Sequence, residues 1–330
     1  MRKIILELQN VTKHFAVGGI GGRKRAVHAM DDVSLALYQG EILSLVGESG
    51  SGKSTVAKVL CKIHTPDSGR VLFDNVDIYA ARRRKDLLQY RKEVQMIFQD
   101  PFASLNPTHT VQSILKRPFL IHGLSSRRSV VGCIEKVLRQ VGMEPPEQFM
   151  GKFPHELSGG QRQRVNIARV LSVDPSVLLG DEPTSMLDVS IRMIIMNMIG
   201  QFRDERNISC LYITHDLAGA RYIGDRIAVM YAGMLMEVGS ADGVIRNAFH
   251  PYTRLLRSAA PQPENRFGRQ KLLAKGDMAS LVDPPKGCRF FPRCPSADAA
   301  CSRAVPVMTE IEPEHFVRCI KPLLRFSEVP

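Results

Sequence analysis

The chain lacks any apolar run long enough to cross a bilayer. Its richest apolar stretch, 191–199, is broken by Arg192 and Asn197 and falls short of the roughly 20 residues a spanning helix needs. No secretory signal is visible, because the opening MRKIILELQN turns acidic by Glu7. A cytosolic protein is expected, with any membrane association peripheral. There is no internal repeat and no low-complexity tract. The seven cysteines contain no C-x₂-C pair, so standard zinc-ribbon and ferredoxin patterns are set aside.

What is present bounds the class. With 330 residues, 44% of them hydrophobic and 24% charged, the chain can bury a large core and carry a smaller appendage. The net charge of +12 suits nucleic acid, an anionic membrane surface or a polyphosphate ligand, and equally a solvated basic surface. Cys61, Cys133 and Cys210 lie singly in apolar surroundings and read as buried thiols, whereas Cys288, Cys294, Cys301 and Cys319 crowd the end of the chain. In a reducing compartment such a cluster points to metal more than to disulfides.

Short apolar runs over 5–11, 42–46, 71–73, 94–98, 177–180, 209–214 and 227–231 read as strands. Helical patterns occupy 54–61, 161–171 and 189–206, and a helical region over 111–141 is interrupted at Pro118 and Gly123. This alternation predicts an α/β fold with a mainly parallel sheet covered on both faces. The stretch 18–25 (GGIGGRKR) reads as a flexible basic turn. From about His250 prolines recur and apolar periodicity fades, which marks a domain boundary.

The strand at 42–46 runs into Gly47-Glu48-Ser49-Gly50-Ser51-Gly52-Lys53-Ser54-Thr55, which fits G-x-x-x-x-G-K-[ST]. The glycines let backbone N–H groups turn toward phosphate, and the following helix aims its positive end at the same anion. Lys53 is expected at the β- and γ-phosphates, the Ser54 hydroxyl on Mg²⁺, and Thr55 on an α- or β-phosphate oxygen. Asp181 closes the strand at 177–180 and suits the Mg²⁺ shell. Glu182 follows at once and is placed to polarise an attacking water as general base. Gln99, after the strand at 94–98, is a candidate Mg²⁺ or water ligand, and His215, after 209–214, a candidate contact to the γ-phosphate. Leu157-Ser158-Gly159-Gly160-Gln161 opens the helix at 161–171 and forms a second anion-facing helix start.

In this order the motifs resemble those of an ABC-transporter nucleotide-binding subunit, over about residues 6–239. The loop at 47–55 is similar to the Walker A loop, Gln99 to the Q-loop glutamine, and 157–161 to the ABC signature. Likewise 177–182 is similar to Walker B with its catalytic glutamate, 185–188 with Asp188 to the D-loop, His215 to the switch histidine, and Phe15 to the aromatic that stacks on adenine. The resemblance implies a P-loop NTPase core with an antiparallel β subdomain and a helical subdomain at about 100–170. It also implies that ATP lies between the Walker A loop of one subunit and the signature of a second. Gly180, usually alanine, and Met186, usually small, depart from the pattern.

Phe98-Gln99-Asp100-Pro101-Phe102-Ala103-Ser104-Leu105-Asn106-Pro107 and His250-Pro251-Tyr252-Thr253-Arg254-Leu255-Leu256 further resemble the oligopeptide/dipeptide/nickel importer group. Domains at 1–245 (ATPase) and 246–330 (extension) follow. The resemblance implies ATPase activity that powers oligopeptide uptake, with Mg²⁺ required. Implied partners are a second, paralogous ATPase subunit, two membrane permeases and, indirectly, an extracytoplasmic solute-binding protein. The implied location is the cytoplasmic face of the inner membrane. Nickel or oligosaccharide uptake are alternatives, the latter because 188–192 and 213–218 also resemble oligosaccharide importers. No nucleic acid partner is expected. The cysteines of such extensions hold a [4Fe–4S] cluster in some members; here the spacing C-x₅-C-x₆-C-x₁₇-C leaves a cluster, Zn²⁺ or reduced thiols open. His315 is a spare candidate ligand.

Overall fold

The computed structural model describes residues 2–18, 25–80, 83–126, 128–259 and 279–323. Most of the basic turn at 18–25 lies outside them. The chain divides into two compact units, one of residues 1–38, 42–79 and 212–330, the other of residues 39–41 and 80–211.

In the first unit, an antiparallel sheet pairs Ile4–Val17 with Arg25–Tyr38 on one side and Ser68–Phe73 on the other, and Val76–Asp77 extends it. The resemblance-based expectation of an antiparallel β subdomain is met there. A second set of strands begins with Ile42–Val46 beside Arg226–Tyr231 in parallel. Every residue of both strands is buried, which explains why each reads as a continuous apolar run rather than an alternation. Arg226–Tyr231 turns back through Ala232 and Gly233, both at positive φ, into Met234–Ser240. Two residues with φ > 0 match the right-handed twist of a hairpin.

The extension does not stand apart from this unit. Its strands Thr309–Glu312 and His315–Val317 pair with each other and then with Met234–Ser240. Hence a cut at 245 does not coincide with the division between units, because 246–330 completes a sheet edge begun earlier in the chain. Glu237, wholly buried, fastens the junction by accepting the N–H groups of Phe249 and His250 at 2.8 and 3.0 Å and pairing with His315 Nε2 at 2.8 Å. A buried carboxylate is tolerable only when its lone pairs are filled in this way.

The second unit is mostly helical. It holds the parallel strands Val94–Ile97 and Val177–Asp181 and the helices Arg84–Glu93, Val111–Ile121, Val130–Gln140, Gly159–Leu171 and Val189–Arg206. The helical region at 111–141 does break, but not at Pro118, which lies inside the first helix. The break follows His122, where Gly123 takes φ +64°; a left-handed residue ends a helix, and glycine adopts it without a Cβ clash. Among the described residues, no helix is long and apolar enough to cross a membrane.

Candidate functional site

The phosphate loop lies in the first unit, between Ile42–Val46 and the helix Lys53–Leu60. Two of its glycines are sterically required. A Cβ at Gly47 would stand 2.1 Å from the Met230 carbonyl oxygen, and one at Gly52, where φ is +107°, would stand 2.2 Å from the Ala29 carbonyl oxygen. Gly52 precedes the helix without offering a side-chain cap. Lys53 is buried and folds back across the loop, donating from Nζ to the Gly47 and Glu48 carbonyls at 2.8 Å each. Ser51 donates its N–H to the Glu48 carbonyl at 3.2 Å and accepts from Gly233 N–H at 2.8 Å. The loop thus has a fixed shape with an ammonium drawn inside it, an arrangement that can receive an anion. Ser54 and Thr55 occupy the first turn of the helix.

Phe15 lies on Ile4–Val17, half-buried, with its ring edge-on to His64 at 5.0 Å and Lys13 Nζ 5.4 Å from its centre. His215 is exposed directly after the buried strand Ser209–Thr214. Asp216 then caps the helix Leu217–Ile223 by accepting from Ala218 N–H.

In the second unit, Asp181 ends its strand buried at 5% exposure. Glu182 takes φ +46°, a conformation unusual for a side-chain-bearing residue and common at functional turns. Ser185 holds it there, donating both N–H and Oγ–H to the Glu182 carbonyl at 3.2 and 3.1 Å. The turn aims the carboxylate at Gln99, whose Nε2 donates to Glu182 Oε2 at 3.1 Å. Gln163, on the helix Gly159–Leu171, donates to the Pro183 carbonyl at 2.7 Å and supports the same turn. Sequence reasoning missed Gln163, which reads only as one polar residue of a helix.

Ser158 caps the helix Gly159–Leu171 in a capping box. Its Oγ accepts from Gln161 N–H at 3.3 Å while Gln161 Oε1 accepts from Ser158 N–H at 3.0 Å. A Cβ on Gly160 would lie 2.9 Å from two Ile191 side-chain carbons, so glycine lets this helix approach Val189–Arg206 closely. Asp188 caps the latter helix, accepting from Ile191 N–H at 2.9 Å. Arg162 stacks its guanidinium 3.8 Å from the centre of the Phe102 ring.

The four tail cysteines converge. Cys288, Cys294, Cys301 and Cys319 line one cavity in the first unit, walled by His250, Phe290, Phe291 and Ile320. Burial raises the thiol pKa of Cys288 and Cys294 and pushes that of Cys319 up to about 11, and neighbouring cysteines add to each shift. Soft donors gathered around one space, kept neutral by burial, suit a cationic group that would stabilise them as thiolates. Around a tetrahedral zinc, sulfurs lie about 3.8 Å apart. Among the described residues no three cysteine sulfurs lie within 4.8 Å of one another. His315 is not one of its lining residues; it is taken by Glu237, which corrects its reading as a spare ligand. Of the other thiols, Cys210 is fully buried and raised to about 12 by that burial, whereas Cys61 and Cys133 are only partly buried.

Comparison with known proteins gives the family. Residues 30–185 match the ABC transporter family model, and residues 236–301 match that of the oligopeptide/dipeptide transporter C-terminal region. The chain is 42% identical to the oligopeptide transport ATP-binding protein AppF of Bacillus subtilis (strain 168), over 96% of this chain and 97% of that one. It is 38% identical to a putative peptide import ATP-binding protein of Brucella ovis, over 96% and 98% of the two chains. Among solved structures, the ATP-binding cassette MJ0796, as a post-hydrolysis dimer bound to ADP and Pi, superposes with a TM-score of 0.64 at 29% identity, covering 72% of this chain and 99% of that one. The chain belongs to the ABC-transporter ATPases, in the group that carries the oligopeptide/dipeptide transporter C-terminal region.

Proposed function

We propose that this ABC ATPase powers the import of oligopeptides, with ATP gripped between two such subunits. The observation that supports the hydrolytic part of the reading is the hydrogen bond from Gln99 to Glu182. It ties the residue that opens the Q-loop to the carboxylate that would activate water, so a movement of 98–107 would reach the base through one hydrogen bond. In this reading Lys53 and the 47–55 amides bind the triphosphate, and Phe15 stacks on adenine. The residues of 158–161, with Asp188 beside them, serve the γ-phosphate held by a partner subunit, a role supported by the dimeric state of the solved cassette.

Glu182 takes a proton from the attacking water as its oxygen bonds to the γ-phosphorus and the β–γ bridging oxygen departs with ADP. His215 donates a hydrogen bond to the γ-phosphate. The oxygen donors Ser54, Asp181 and Gln99 suit a hard cation; they would hold Mg²⁺, which neutralises phosphate charge when bound. The peptide substrate is supported by the names of the relatives over nearly the whole chain. We further propose a paralogous ATPase partner, two permeases and an indirect solute-binding protein, with peripheral attachment at the cytoplasmic membrane face.

The four tail thiolates would hold a [4Fe–4S] cluster, a reading supported by their convergence on one cavity. Such a group would supply a cross-link within the extension and a centre that senses oxidation. Anaerobic Cys294→Ser material should lose iron and visible absorbance; unchanged iron would remove the cluster.

Glu182→Gln tests the ATPase reading. It is expected to lose turnover by roughly 10²–10⁴-fold while accumulating an ATP-bound dimer detectable by light scattering. Near-normal turnover, or strictly monomeric ATP-bound material with every candidate partner, would overturn the proposal. Loss of labelled-peptide uptake in cells carrying the variant tests the substrate.

A further inference from the structure

The extension is bonded to the phosphate loop at two points. Tyr252 Oη accepts the N–H of Glu48 at 3.0 Å. Arg293 forks onto both carboxylate oxygens of Glu48, at 2.8 and 3.1 Å. The carbonyl of Glu48 accepts from Lys53, so the N–H, carbonyl and side chain of this one loop residue are all held.

Glu48 is an awkward residue for its position. A carboxylate within a loop shaped for a triphosphate repels the ligand unless it is neutralised or turned away. Arg293 does both, in the bidentate geometry that fixes a carboxylate most firmly. The Arg293 side chain is only 10% exposed, which limits screening by water. Arg293 stands beside Cys294 in a tight turn, Phe291–Arg293, where Cys294 N–H bonds back to the Phe291 carbonyl at 3.3 Å. Tyr252 packs on Phe290 with ring centres 5.4 Å apart, and Phe290 lines the four-cysteine cavity. Both contacts to Glu48 are thus mounted on the walls of the cysteine centre.

We propose that Arg293 is a positioning residue for nucleotide binding, neutralising Glu48 and holding the phosphate loop in its receiving shape, and that the integrity of the four-cysteine centre sets this hold. The inference rests on the nucleotide-site reading above and adds to it a dependence of ATP affinity on the extension.

The test uses the full chain titrated with a fluorescent ATP analogue and Mg²⁺. Arg293→Ala is expected to weaken binding roughly tenfold, more at low ionic strength than at high. Adding Glu48→Gln to Arg293→Ala should restore affinity to within about threefold of wild type, because the unneutralised charge is then gone. A merely structural role for Arg293 predicts no rescue, and absence of rescue overturns the proposal. Arg303→Ala, an exposed change in the same extension, should leave affinity unaltered. Cys294→Ser, which does not touch the loop, should weaken binding in the same direction and raise hydrogen exchange of the amides at 49–52 in the nucleotide-free chain. Wild-type affinity and exchange in Cys294→Ser would overturn the coupling to the cysteines. Failure of the wild-type chain to bind the analogue would overturn the nucleotide-site reading itself, which distinguishes the two.

Discussion

Two helix starts in this molecule are read as facing phosphate, and they are built in opposite ways. The start at Lys53 follows a glycine with no side-chain cap, is walled by backbone carbonyls that exclude any Cβ at Gly47 and Gly52, and is braced from the extension through Glu48. The start at Gly159 is closed by its own capping box, and its cap residue Ser158 is exposed. A helix N-terminus left uncapped by its own chain keeps its dipole and amides for a ligand. One whose third-residue N–H, that of Gln161, is already held by its own cap keeps fewer donors for an anion. The first is therefore built as the proposed receptacle would require, and the second as a stable surface for the proposed completion of a partner's site.

The largest expected effect separates the two at once. Lys53→Ala removes a buried ammonium whose charge-assisted hydrogen bonds are each worth about 1.5–3 kcal/mol. Affinity of the isolated chain for MgATP should fall at least roughly 100-fold. If titration shows a comparable loss for Ser158→Ala in the isolated chain, the distinction fails.

Acid should loosen the first start before the second. His250 Nδ1 accepts the Tyr252 N–H at 3.0 Å, so the ring is held neutral at that nitrogen. Burial lowers its pKa from 6.5 to about 4, against the opposing pull of Glu237. Because the folded value lies below the unfolded one, the unfolded chain takes up the proton first. The stabilisation is whole above about pH 6.5 and drains away as pH falls toward 4, by about 3 kcal/mol at most. Tyr252 carries the hydroxyl that holds Glu48, so hydrogen exchange at 48–52 should rise at pH 5 relative to that at 158–161. Equal response at both would mean that the brace adds nothing.

How much of this was legible differs between the two sites. The phosphate loop, the carboxylates Asp181 and Glu182 and the buried strands at 42–46 and 209–214 could be read, since each is a local pattern with one dominant physical cause. The helix at 189–206 was read from its pattern with the observed bounds, which the structure explains: Asp188 caps its start and Asn207, at φ +55°, ends it. The helix Arg84–Glu93 was missed because it fully buries only Tyr90 and carries no apolar stripe. The strands Thr309–Glu312 and His315–Val317 were missed because they are short and the first is mostly exposed; pairing, not composition, makes them strands. The Arg293–Glu48 brace joins residues 245 apart, and no spacing rule reaches across such a gap. Gly160 was read as part of an anion site, whereas Ile191 gives it a packing reason as well.

That packing reason yields a smaller prediction. Gly160→Ala sets a Cβ against the Cγ2 methyl and the Cδ1 end of Ile191 rather than against backbone. The cost should be about 1–3 kcal/mol, read as a lowered Tm, and Ile191→Val should relieve part of it. An unchanged Tm would leave ligand contact as the only ground for that glycine.

The smallest effect bears most directly on the second start. Ser158→Ala removes the hydroxyl that accepts from Gln161 N–H, and loss of such a cap costs typically about 1 kcal/mol. Tm should fall slightly while the isolated chain binds MgATP as before. In the dimer proposed above, the same substitution would remove a donor to the partner's nucleotide, so ATP-driven dimerisation measured by light scattering should weaken. Reduced stability with unaltered dimerisation would assign Ser158 to capping alone, and the second helix start would then have no claim on phosphate.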